Sequence, residues 1–207
     1  MDDHAGHTAF SQHAVFFEHT IESAPPAARR FMTATANSLG YLPSATARWA
    51  ASPQLLDGFG KLSGLFDTTT LDPLAREVVV MTVAVRNHCD ICVAMHTARL
   101  VVLGADAATI AALRGGTPLG GDMPLYGQSR DISPLADPRL DAVRVFALRV
   151  LDTAGDVGEP ALREFLEHGY TTRNALEVVL GIGAYTMSTL ANRLTGAVID
   201  EPLREFA

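Results

Sequence analysis

The chain has 207 residues, 48% of them hydrophobic and 19% charged, which suffices for one domain with a sizeable core and excludes a disordered chain. A formal net charge of −7 with no basic run leaves no electrostatic footprint for nucleic acid. No stretch approaches the ~18 apolar residues that span a bilayer, so no membrane partner is expected.

The N-terminus, Met1-Asp2-Asp3-His4, is acidic where a signal peptide would be basic, so a cytoplasmic protein is expected. The first 20 residues carry His4, His7, His13 and His19, a pattern read as a loosely ordered end in preference to a metal-binding tail. Ser52-Pro53 then opens a helix, with proline at the first helical position behind a capping side chain. Asp72-Pro73 opens the next, a very apolar helix from about Pro73 to Val85, broken at Arg86-Asn87-His88. Another helix follows from near Cys89 to about Leu103, closed by Gly104. Segment 116–136 is rich in Gly and Pro and reads as the one long loop. Beyond it, Asp137-Pro138 and Glu159-Pro160 open further helices, the first with Leu140, Val143, Phe146, Ala147 and Val150 at helical spacing. Gly181 and Gly183 inside the last apolar helix predict close helix packing. Glu77-Val-Val-Val and Glu177-Val-Val-Leu echo each other, too briefly to establish a duplication. No hairpin signal joins alternating segments, so an all-α fold of about seven or eight helices is predicted.

The two cysteines of the chain, Cys89 and Cys92, lie three residues apart. In a reducing compartment such a pair reads as a redox couple or as half of a metal site, since its loop is too short to staple a fold. Offsets of three and seven put Cys89, Cys92 and His96 on one helical face. A cysteine at a helix N-terminus is biased toward thiolate by the macrodipole and by unpaired N–H groups. His96, one turn beyond Cys92, can take its proton. Glu77 is a carboxylate on a helix with hardly another polar group, and the His96–Cys92 pair is its natural partner. Two thiolates, an imidazole and a carboxylate could instead hold zinc, but Cys89 and His96 are two turns, ~10 Å, apart. His88 could tune the neighbouring thiol.

The pattern Glu77, eleven residues, Cys89-Asp-Ile-Cys92, three residues, His96 resembles the alkylhydroperoxidase D-like branch of the carboxymuconolactone decarboxylase superfamily. Leu71-Asp72-Pro73, Gly104-Ala105, Asp137-Pro138-Arg139, His168-Gly169-Tyr170-Thr171 and Asn192-Arg193-Leu194 fit it too, over roughly residues 40–205. The resemblance implies a domain over 41–207 behind an N-terminal helical extension, 1–40, and assembly into homo-oligomers. It implies thiol peroxidase or disulfide reductase activity, with Cys92 attacking the peroxide and Cys89, nearer the surface, resolving the sulfenic acid. His96 and Glu77 would form the proton relay, often through a water. The reductant would be a dithiol carried on a partner protein, and no flavin, haem or metal would be needed. Ile91 stands where the best-known peroxidases of this kind carry a second histidine, so the relay is shorter here or draws on His88. The rival readings are a lactone decarboxylase using His96 and Glu77 as acid and base, and a zinc-binding or redox-sensing protein.

Overall fold

Five of the nine described α-helices start where a short polar side chain satisfies a first-turn N–H group. Ser52 and Asp72 accept from the Leu55 and Ala75 amides at 3.3 and 2.9 Å, each cap contributing about 1 kcal/mol. Thr171 and Asn174 form a reciprocal capping box. The computed structural model describes residues 15–116 and 133–207. Within them lie α1 (Pro26–Leu39), α2 (Ser44–Trp49), α3 (Pro53–Asp67), α4 (Pro73–Arg86), α5 (Asp90–Val102), α6 (Ala107–Leu113), α7 (Pro138–Thr153), α8 (Gly158–Glu167) and α9 (Thr172–Thr195). A 3-10 helix, Glu201–Phe206, closes the chain, and no strand occurs among the described residues. The all-α expectation holds. The helix number exceeds it because α2 and α6 are too short to show an apolar period. α8 starts at Gly158, ahead of the expected proline, and carries Pro160 in its first turn, where the missing N–H costs no helical bond. His4, His7, His13 and most of the 116–136 loop lie outside the described residues.

α4 is the axis of the molecule. Every residue from Glu77 to Ala84 is buried, as a helix apolar all round requires, and α5, α7 and α9 pack around it. α9 comes close to α4 and α3 because Gly181 has no side chain. A Cβ there would meet the Phe66 ring at 2.6 Å and Val79 Cγ1 at 3.0 Å. Gly183 departs from its expected packing role: among the described residues nothing lies within 4 Å of a Cβ built on it. The Glu177 carboxylate anchors the approach to α4, accepting from the Thr70 and Leu71 amides at 3.0 and 3.2 Å and from Asn174 Nδ2 at 2.9 Å.

The break between α4 and α5 orients the dithiol. His88 adopts a left-handed conformation (φ 52°), and the Cys89 amide folds back onto the Ala84 carbonyl at 3.0 Å. α9 grips this corner. Arg193 Nη1 donates to the Asn87 and His88 carbonyls at 2.7 and 3.0 Å, and Asn87 Nδ2 donates to Thr189 Oγ1 at 2.8 Å. Cys89 thereby becomes the N-cap of α5. Among the described residues no helix is long and apolar enough to cross a membrane.

Candidate active site

Glu77 projects from α4 toward α5, and the four expected site residues gather where these helices meet α9. All are buried, with exposures of 3% for Glu77, 1% for Cys89, 4% for Cys92 and 7% for His96. Glu77 Oε2 lies 2.7 Å from His96 Nδ1, and its Oε1 lies 2.9 Å from Arg99 Nε. Arg99 also reaches Asp67, Nη2 to Oδ1 3.3 Å. A carboxylate paired with a guanidinium only accepts, so Nδ1 of His96 donates to it, and in the neutral imidazole the free lone pair is on Nε2. The Tyr185 ring meets His96 edge-on at 5.2 Å. Burial, then the negative charge of Glu77 and Asp67, push the Tyr185 phenol well above its ordinary range, so it stays protonated.

Cys89 and Cys92 are joined as a disulfide, with Cα atoms 5.3 Å apart. Asn192 of α9 donates from Nδ2 to Cys92 Sγ at 3.2 Å and reaches Cys89 Sγ at 3.8 Å. A buried amide donor at this distance favours the sulfur anion over the thiol. Asn192 Oδ1 is buried with no hydrogen-bond partner among the described residues.

Cys92 and His96 open onto a cavity of about 220 Å³, which Asn192 and Ser188 also border. The rest of its lining is mostly apolar and includes Trp49 and Phe59. Neither Cys89 nor His88 lines it. The expected exposure order of the two cysteines is thus corrected: Cys89 is no nearer the surface than Cys92. As N-cap it sits under the corner held by α9, while Cys92 faces the cavity. His88 gives its backbone to the turn, and its ring does not border the cavity.

Three residues of the site were not assigned to it from sequence, although Asn192 lies in a segment that carried the resemblance. Arg99 could have been found, because it lies one turn past His96 on α5 and a buried Glu77 needs a cation. Asn192 and Tyr185 are separated from the dithiol by about a hundred residues and carry no local signal. No group of three or more His, Cys, Asp or Glu residues arranged to hold a metal ion occurs among the described residues.

Residues 53–124 match the carboxymuconolactone decarboxylase family. No curated protein matches the sequence. Solved structures resemble it closely in fold. The alkylhydroperoxidase AhpD core of an uncharacterized peroxidase-related protein from Ralstonia eutropha JMP134 aligns over 89% of this chain and 91% of that one, with TM-score 0.71 and 19% identity. A peroxidase-related protein from Silicibacter sp. TM1040 aligns over 88% and 90%, with TM-score 0.68 and 19% identity. The debrominase Bmp8, as a cysteine-to-alanine variant in complex with 2,3,4-tribromopyrrole, aligns over 93% and 95%, with TM-score 0.66 and 14% identity. Residues 53–124 thus carry a likeness to the carboxymuconolactone decarboxylase family, and the chain as a whole shares the helical fold of these solved structures.

Proposed function

We propose that the chain is a dithiol peroxidase that cycles Cys89 and Cys92 between dithiol and disulfide. The observation that carries this reading is the shared cavity: Cys92 and His96 border one space, with Glu77 holding His96 from behind. Among the described residues no direct hydrogen bond joins His96 to either sulfur, so their proton exchange passes through water or substrate in the cavity.

In the reduced protein His96 Nε2 takes the Cys92 proton, and Asn192 Nδ2 steadies the thiolate. The Cys92 sulfur attacks the distal oxygen of a hydroperoxide, the O–O bond breaks, and the departing alkoxide takes the proton from His96. The products are an alcohol and a Cys92 sulfenic acid. The Cys89 sulfur displaces the hydroxyl as water and closes the disulfide. An external dithiol, on a small molecule or a carrier protein, restores both thiols by exchange. The sum is hydroperoxide plus dithiol giving alcohol, water and disulfide.

Free-thiol counting before and after one equivalent of hydroperoxide tests the cycle. Wild type should lose two thiols, Cys92→Ser none, and Cys89→Ser should stop at a sulfenic acid. Unchanged peroxide consumption in Cys92→Ser would sink the mechanism. Likeness to a debrominase, together with the aromatic cavity wall, supports a second reading in which the same dithiol reduces a carbon–bromine bond to carbon–hydrogen, releasing HBr and closing the disulfide. Bromide release from 2,3,4-tribromopyrrole, with hydroperoxide untouched, would favour it. Lactone turnover retained in a double Cys→Ser variant would instead point to acid–base chemistry by His96 and Glu77.

We also propose self-association, as the resemblance implies. It bears on none of the steps above.

A further inference from the structure

α9 has two faces of different use. Its inner face brings Tyr185, Ser188 and Asn192 to the site and packs on α3 and α4. Its outer face is apolar and open. Leu176 is 72% exposed and Leu190 56%, and Val179 and Leu194 are exposed as well. Among the described residues no other helix exposes more than two large apolar side chains, so this is a patch rather than the usual scatter of single residues. Between Arg173 and Arg193 the only charged side chain is Glu177, which is buried. Both arginines are engaged at the ends: Arg173 Nε lies 2.9 Å from Glu177 Oε1, and Arg193 holds the corner at 86–88. The solvent face of a helix ordinarily carries its charged residues. From Leu176 to Leu194 this one runs about 27 Å without a charge.

The order of the side chains on that face is specific. Val179 and Met187 stand four residues to either side of Gly183, and Leu176 and Leu190 stand seven. At 3.6 residues per turn these offsets all return to the face of Gly183, so the stripe reads nearly alike in both directions. A two-fold contact requires that symmetry, because residue i meets j while j meets i. A second α9 laid antiparallel, Gly183 on Gly183, sets Leu176 against Leu190 and Val179 against Met187. Gly183 suits the crossing point, where a missing side chain lets two backbones approach. Its own chain gives it no such reason: among the described residues nothing lies within 4 Å of a Cβ built on it. Yet glycine inside a helix costs about 0.5–1 kcal/mol relative to alanine.

We propose that the outer face of α9 is the two-fold interface of a homodimer, the two helices crossing antiparallel at Gly183. The occupant is a second copy because the stripe is complementary to itself about that residue. The inference rests on the self-association proposed above, which it deepens by naming the face, and on none of the redox chemistry. Such pairing also braces from outside the helix that carries Asn192 to the sulfurs.

Sedimentation velocity on the full-length protein, from about 1 to 200 µM, tests the face. Leu176→Arg and Leu190→Glu alter exposed positions of one copy, and circular dichroism checks that each variant folds. Either change alone should weaken association by at least about tenfold, because it buries an unpaired charge. The double variant should regain it, since each introduced charge then meets its opposite across the two-fold axis. Within one chain the two positions are about 21 Å apart along the helix, too far to pair. Gly183→Leu, with room for its side chain in the single copy, should weaken association as the single charges do. In any assembly larger than a dimer, each single variant should lower the mass and the double variant should restore it. A protein monomeric throughout the range overturns the interface and the self-association reading together. An assembly that no variant changes overturns this face and leaves self-association through another surface. Disruption by the single variants without recovery in the double overturns the antiparallel crossing. A monomer that floats with phosphatidylcholine–phosphatidylglycerol vesicles, and ceases to in Leu190→Glu, assigns the face to a membrane and overturns the dimer.

Discussion

Asn192 and Glu77 act on the reacting groups in different ways, and substitution separates them. Asn192 Nδ2 lies 3.2 Å from Cys92 Sγ, a bond that strengthens when the sulfur is charged. A hydrogen bond to a charged group contributes about 1.5–3 kcal/mol, and one pKa unit corresponds to about 1.4 kcal/mol. Asn192→Ala should therefore move the pH midpoint of Cys92 alkylation up by roughly one to two units. The measurement is iodoacetamide rate against pH in the reduced Cys89→Ser background. An unmoved midpoint would confine Asn192 to packing. Glu77→Gln works through His96 instead. A carboxamide can offer its NH₂ to Nδ1, which flips the tautomer and blocks Nε2 as a base, while its oxygen still accepts from Arg99 but no longer offsets that charge. Peroxide turnover should fall by about 10²–10⁴, with the pH profile of kcat/KM losing the acid-side rise that a general base gives. A drop in Tm alone, with turnover retained in the folded fraction, would make Glu77 structural.

At the scale of elements, α9 sets the geometry of the others. Its Glu177 is buried, which opposes ionisation, but hydrogen bonds from the Thr70 amide and hydroxyl, Asn174 and Arg173 outweigh that and hold its carboxyl below the ordinary value of 4.5. A depressed folded-state value means that the carboxylate contributes its stability above the unfolded value and loses it as pH falls through the folded one. Glu177→Gln should thus lower Tm at neutral pH, by an amount corresponding to roughly 1–3 kcal/mol. The gap from wild type should narrow once pH drops below about 4.5. A gap independent of pH would mean that shape rather than charge holds the Thr70–Leu71 approach to α4. Much at this scale was legible beforehand. Helices 73–86 and 90–102 announce themselves through Asp72-Pro73, the Val-rich run and the polar break at 86–88, so the pairing of Glu77 with His96 followed from sequence. What stayed hidden was non-local. Asn192 reaches the sulfurs only because α9 crosses the corner at 86–88, and nothing local to α1 says which cavity its residues border. The relative burial of the cysteines was also out of reach, since an N-cap position looks exposed until a neighbouring helix covers it.

For the molecule as a whole, the question is whether the Cys89–Cys92 bond holds the fold or only reports its redox state. The bridge closes a loop of three-residue separation, and chain entropy assigns so small a loop about 2 kcal/mol at most. In a chain of this length each kcal/mol moves Tm by ~2–4 °C, so reduction should lower Tm by no more than about 8 °C and leave the far-ultraviolet circular dichroism unchanged. The core explains why. Val78, Val79, Val80, Met81, Val83 and Ala84 are buried on α4 independently of either sulfur, and the corner is already held by Arg193 and Asn87. Thermal melts of oxidised, reduced and double Cys→Ser protein provide the comparison, and the reduced form and the double variant should melt close together. If reduction cost several times more, or erased helicity, the bond would be a structural staple, and a protein that loses its fold with each reductive half-cycle could not sustain turnover. A small shift leaves the bond free to open and close on a rigid helical frame, as a dithiol enzyme requires.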